Sequence, residues 1–142
     1  MDRRSRAVTA SVARYVRSSD FLTEAENHFQ FLREADFLGP EKGEYWLSYS
    51  SDMLGVEVHY DDREGRVITI VRSSVGDRNP RAGIQCLYVS ARLGPAQHIK
   101  EIARSAKVLG NVLESHAAAL RKVLPVVEGA DGPDLLLDCH GR

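Results

Sequence analysis

Leu54-Gly55-Val56-Glu57-Val58-His59-Tyr60-Asp61, followed by Asp62-Arg63-Glu64-Gly65 and then Arg66-Val67-Ile68-Thr69-Ile70-Val71, decides the fold of this chain. Leu54, Val56, Val58 and Tyr60 alternate with Gly55, Glu57, His59 and Asp61, and a period of two puts the apolar set on one face of a strand and the polar set on the other. The acidic run ending in Gly65 has the chemistry of a turn, with glycine placed to accept positive φ, and the β-branched residues from Val67 to Val71 form the return strand of a hairpin. Upstream, Tyr45, Leu47 and Tyr49 alternate with Trp46, Ser48 and Ser50, which predicts another strand. Downstream, Ser73 to Gly83, with Gly76, Asp77, Asn79 and Pro80, reads as an exposed loop, and Ile84 to Ala91 as a fourth strand.

Outside this region the period lengthens to that of a helix. Val8, Val12, Tyr15 and Val16 predict an Arg-rich first helix that Ser18-Ser19-Asp20 ends, and Thr23 opens a second that carries Ala25, Phe29 and Leu32 to about Ala35. Gly39-Pro40 then breaks the chain into a short charged loop, Glu41-Lys42-Gly43. From Gln97, the residues Ile99, Ile102, Ala106, Leu109, Leu113, Ala117 and Leu120 recur at spacings of three and four, predicting one long helix over residues 97–123 that Pro125 stops. Such a helix is long for a domain of this size, so either Gly110 splits it or its overhang packs on a second copy. The expectation is an α+β fold of order α-α-β-β-β-β-α. It has a four-stranded antiparallel meander sheet, two N-terminal helices and one long C-terminal helix. At 142 residues a single domain spanning 1–142 is expected, with residues 1–6 and 125–142 flexible or loosely docked, although Leu135-Leu136-Leu137 is a stub able to dock on the core.

Composition excludes several classes. A hydrophobic share of 43% with 27% charged residues is that of a globular chain, and no apolar run reaches the ~18 residues of a membrane span. No secretory leader is read in Met1 to Arg14, so a cytoplasmic location is expected, with an Arg- and Ser-rich transit segment as the alternative. Cys86 and Cys139 fit no metal or redox spacing and are expected as reduced thiols. The net charge of −1 conceals segregation: residues 1–18 carry +4 and residues 19–64 hold twelve acids against three bases, for −9. Residues 65–123 hold ten bases against three acids, for +7, and the remainder is −3. Opposed surface potentials of this kind act on partner choice and association rate, unless the segments neutralise one another within the fold.

No nucleophile motif and no glycine-rich phosphate loop can be written in the sequence, and neither an enzymatic activity nor a cofactor is expected. His59-x-Asp61 and Cys139-His140 supply two ligands each, too few for a metal site, and no metal is expected. His28, His98 and His116 stand singly on predicted helices, as surface or boundary residues. Asp61 and Asp62 would serve acid-base chemistry only inside a cleft; in a hairpin turn they are turn-formers. Arg3, Arg4, Arg6, Arg14 and Arg17, with Arg78, Arg81 and Arg92, would suit phosphates, but a pI near 6.5 lies below the range of nucleic-acid-binding domains.

The segment Tyr49-Ser50-Ser51 through Val56-Glu57-Val58-His59-Tyr60-Asp61-Asp62-Arg63 to Val67-Ile68-Thr69-Ile70 resembles small bacterial proteins of the immunity type, of the kind found in actinobacteria. The resemblance implies an intracellular antidote that binds and occludes a toxin or effector, commonly by presenting an acidic face to a basic cleft. It carries over no catalytic residue. On this reading the chain is a non-enzymatic protein-binding module, and Glu57, Asp61, Asp62 and Glu64 are the candidate partner-binding residues for a basic protein. The alternatives are an oligomeric structural or adaptor subunit assembled through helix 97–123, and a nucleic-acid-associated protein using the Arg-rich N-terminal helix.

Overall fold

The structure, a computed structural model, describes residues 15–142. Most of the Arg-rich first helix expected from the sequence lies outside the described residues. The elements run α1 (Ser18–His28), α2 (Phe31–Glu34), β1 (Leu38–Lys42), β2 (Trp46–Ser50), β3 (Leu54–Asp61), β4 (Arg66–Ser73), β5 (Arg81–Gly83), α3 (Ile84–Ser90), a 3-10 turn (Ala96–His98), α4 (Ala106–Val127) and α5 (Gly132–Asp138). Among the described residues no helix is long and apolar enough to cross a membrane.

The hairpin that decides the fold forms as the alternation dictates. Val56, Val58 and Tyr60 pair with Val71, Thr69 and Val67 on the inner face, while Glu57, His59 and Asp61 face Ile70, Ile68 and Arg66 on the outer. The sheet is an antiparallel meander, but it has five strands in the order β1-β2-β3-β4-β5, where four were expected. The additional strand is β1, in the segment where Gly39-Pro40 reads as a loop. Proline has no N–H for a ladder, but on an edge strand that donor is not needed. Gly39 takes φ +118° at a register shift between Leu38 and Glu41, and a side chain there would press on the Ser48 carbonyl. Local breaker chemistry thus marks an irregular edge strand.

The fourth predicted strand is corrected more sharply. Only Arg81–Gly83 is extended, and Ile84 to Ser90 is the helix α3. Ile84, Leu87 and Tyr88, at i, i+3 and i+4, are buried. A seven-residue run with five apolar residues satisfies both periods, and the packing of those three side chains selects the helical one. At the other end of the chain Ser18-Ser19-Asp20 begins a helix instead of ending one: α1 starts at Ser18 with Asp20 in its first turn, where a carboxylate favours the positive end of the helix dipole.

Helix α4 begins at Ala106, nine residues later than the periodicity predicts. Ser105 caps it, its hydroxyl accepting from the Val108 N–H. Ile99 is buried and Ile102 half exposed, both in an extended strap that completes the free half of the β4 edge, with Val67 N–H donating to the Glu101 carbonyl and Ala103 N–H to the Gly65 carbonyl. Pro125 lies inside α4, which runs on to Val127. Gly110 does not split the helix; it sits where α1 crosses, and a Cβ there would come within 3.3 Å of Glu24 Oε1. The apolar stripe of α4, from Leu109 through Leu113, Ala117 and Leu120 to Val127, is buried in the core.

His116, expected at a helix surface, is fully buried. Its Nε2–H donates to the Lys100 carbonyl at 2.7 Å, which leaves Nδ1 to accept from the Thr69 hydroxyl at 2.8 Å. One side chain thereby joins α4, the strap and the inner face of β4. Burial lowers its pKa to about 4, the hydrogen bond to Lys100 opposing only part of the effect.

The cysteines correct the expectation of free thiols: Cys86 and Cys139 form a disulfide, with Cα atoms 5.8 Å apart. Cys86 is on α3 rather than on a strand, and the bond holds the segment after α5 onto the core. Leu136 is buried beside it, and the chain then follows the β5 edge, where Ala82 bridges His140 and Gly141 N–H donates to the Arg81 carbonyl. In sequence the two cysteines are 53 residues apart on segments read as strand and tail, and only tertiary packing brings them into register.

Candidate functional site

The sheet buries its inner face under α1, α3 and α4, and its outer face carries no described helix. Across β2, β3 and β4 that face reads Trp46, His59, Ile68 in one row and Ser48, Glu57, Ile70 in the next. The row beyond reads Ser50, Gly55, Arg72 and Arg81. Strand alternation alone places them there. Trp46 stays 36% exposed because its indole lies across Gly43, where a Cβ would collide with the ring.

Glu57 is the centre of the face. Its Oε1 accepts from Arg81 Nη2 at 2.6 Å and lies 2.9 Å from His59 Nε2, and its Oε2 accepts from Arg72 Nε at 3.1 Å. Burial alone would push this carboxyl up, but the hydrogen bonds and charges of His59 and Arg81 outweigh it and hold the pKa below its ordinary 4.5. With its side chain 16% exposed, Glu57 fixes its neighbours more than it offers charge to solvent. Gly55 has a defined part in this. Arg72 lies directly across the ladder from it, and any side chain there would run into the guanidinium.

The four acidic candidates therefore divide. Asp61 is on the same face of β3 as Glu57 but four residues on, roughly 13 Å along the strand. Its Oδ1 accepts from the Arg63 and Glu64 N–H groups at 3.0 and 3.3 Å, closing the turn. Asp62 and Glu64 belong to that turn, and Glu64 Oε1 lies 3.4 Å from Arg66 Nη1. Asp61, Asp62 and Glu64 stand together at one end of the outer face, and Glu57 stands apart within a basic cluster.

The outer face is thus polarised, with an acidic turn at one end, Arg72 and Arg81 at the other, and Trp46, His59, Ile68 and Ile70 between. Arg72, Trp46 and the two isoleucines were not singled out in the sequence, and Arg81 only as one of several arginines suited to phosphates. The signal that would have found them is the same alternation that located the core, since in β4 the residues between the buried Val67, Thr69 and Val71 are Arg66, Ile68, Ile70 and Arg72. Two aliphatic residues in the outward set are unusual for a solvated sheet face. Among the described residues no group of three or more His, Cys, Asp or Glu side chains could hold a metal ion. No protein-family model, curated protein or solved structure matches the chain.

Proposed function

We propose that this protein is a non-enzymatic protein-binding module of the antidote type, which occludes a toxin or effector by docking on the outer face of its sheet. The observation that carries the reading is the face itself. It is one side of a five-stranded sheet, covered by no described helix, with an exposed tryptophan, two aliphatic residues and a carboxylate already holding two arginines in place. Pre-ordered charged groups around an aromatic anchor lower the entropy lost on association. The acidic turn of Asp61, Asp62 and Glu64 marks the end of the face that meets a basic surface of the partner. The immunity-type form of the proposal rests on the resemblance of residues 49–71, and the cytoplasmic location that goes with it requires Cys86 and Cys139, bonded in the structure, to be reduced there.

The test is a photo-cross-linking residue at Ser48, in the middle of the face, expressed in the source cells. A covalent adduct with one other protein is expected, and Trp46→Ala should weaken that complex roughly thirtyfold, the ~2 kcal/mol of an anchor residue. Adducts that form equally well from a control position on exposed Lys122 of α4, or none from Ser48, would overturn the proposal. Charge reversal at the acidic end, Asp62→Lys with Glu64→Lys, leaves the turn-forming Asp61 intact. It should slow association while dissociation changes little; an unchanged association rate removes that end from the interface.

A further inference from the structure

Arg72 and Arg81 face each other in direct register across the β4–β5 ladder. Like charges placed opposite destabilise a sheet, and here one carboxylate bridges both. A single anion between two cations leaves an excess of positive charge at this corner, and the segment after the disulfide, residues 140–142, lies beside it. Glu57 occupies Nε of Arg72 and one Nη of Arg81. Arg81 remains 51% exposed, and the plane of Arg72 is set by its seat over Gly55. A guanidinium held in a fixed plane is suited to a carboxylate, which it meets with two parallel N–H donors.

Beside this pair lies a groove of about 260 Å³ whose floor is Ile68 and Ile70 and whose walls are Arg81, Gly83 and the His140–Arg142 segment. A Cβ on Gly83 would come within 2.8 Å of the Arg142 carbonyl, so the glycine lets this segment form the wall. The same segment covers the β5 edge through the Ala82–His140 bridge and the hydrogen bonds between Arg81 and residues 140–141. An occupant therefore cannot add a strand at this edge and has to present side chains to the face.

We propose that this corner binds an acidic segment of a partner protein, one carboxylate seated on Arg72 and Arg81 and a neighbouring aliphatic side chain in the groove over Ile68 and Ile70. The inference rests on the docking face proposed above and adds the chemistry of its second end, so the partner carries an acidic element opposite the arginines as well as a basic one opposite Asp61, Asp62 and Glu64.

Two synthetic peptides test it on the full-length, isotope-labelled protein: an alternating Glu/Leu hexapeptide and its Lys/Leu counterpart. Millimolar Glu/Leu peptide is expected to shift the amide resonances of residues 68–72, 81–83 and 140–142, with binding that weakens as salt rises. Arg72→Gln with Arg81→Gln should raise the half-saturating concentration at least tenfold. Arg81→Gln alone, at a largely solvent-exposed side chain, should do so by a smaller factor, and serves if the double variant loses its native spectrum. No shifts, equal shifts from the Lys/Leu peptide, shifts confined to the helical side, or indifference to both variants would each overturn the proposal. A partner that cross-links at Ser48 yet binds the arginine variants unchanged defeats this inference alone; failure to cross-link defeats the docking face beneath it.

Discussion

Breaking the Cys86–Cys139 bond is expected to cost about 4 kcal/mol of stability, the loop-closure entropy of a cross-link 53 residues apart. In a chain of 142 residues that corresponds to a fall in Tm of roughly 10–15 °C. The bond joins α3 to the segment after α5, and its loss frees residues 132–142 to leave the β5 edge. The measurement is thermal and chemical unfolding of the protein with and without a phosphine reductant, beside a Cys86→Ala/Cys139→Ala variant that removes the bond without burying a hydroxyl. Hydrogen exchange at Gly141, whose N–H donates to the Arg81 carbonyl, should accelerate in step. A midpoint that stays within a degree or two would show that packing of Leu136 holds this segment by itself. The bond also bears on location. Disulfides persist where thiols are not kept reduced, so alkylation of the protein taken directly from cells should leave Cys86 and Cys139 unmodified if it resides in an oxidising compartment, and label both if it resides in the cytoplasm.

Lowering the pH from 7 to 5 is expected to remove about 2 kcal/mol, and a further fall to pH 4 about 1 kcal/mol more, through His116 alone. The imidazole is buried as the neutral tautomer between Thr69 and the Lys100 carbonyl, with a pKa of about 4 against 6.5 when unfolded. Between those values the unfolded chain binds the proton and the folded chain does not. Stability is therefore full above about pH 6.5 and declines as pH falls through the window. The carboxylates held low, Glu57 by His59 and Arg81 against its burial and Glu114 by His28 and Arg121, lose their contribution mainly below their ordinary value of 4.5, so the range from pH 7 to 5 reports His116 and the two effects overlap only below it. Denaturant midpoints at pH 7, 6 and 5 measure the first effect. In His116→Leu the slope over that range should flatten, while stability at pH 7 drops by about 1–3 kcal/mol because the Thr69 hydroxyl and the Lys100 carbonyl are left unpaired. Retention of the wild-type slope in that variant would assign the pH dependence elsewhere.

Much of the sheet was legible because strand alternation is a local property. Val56, Val58 and Tyr60 against Glu57, His59 and Asp61 state which side is buried without reference to any other element, and β2, β3, their turn and β4 form where this pattern puts them. The site was half legible for the same reason. Alternation placed Glu57 and Asp61 on the outer face, but whether a charge is offered to a partner depends on what lies across the ladder. Arg72 and Arg81 are distant in sequence from Glu57 and reach it only through the registers of β3 with β4 and β4 with β5. The segregation of charge along the chain is partly undone in this way, since the bases of residues 65–123 fold back onto an acid of residues 19–64.

By itself, then, the sequence determined the fold class, the central hairpin and the division of that hairpin into a core face and an open face, because each depends on side-chain periods only a few residues long. The tertiary structure alone decided four things. It made Ile84 to Ser90 a helix and residues 99–103 a strap along β4, it buried His116 against Thr69, and it bonded Cys86 to Cys139. The physical reason is common to all four. Short apolar runs, a single histidine and two distant cysteines are locally compatible with more than one state, and the choice is made by close packing and hydrogen-bond satisfaction against elements tens of residues away.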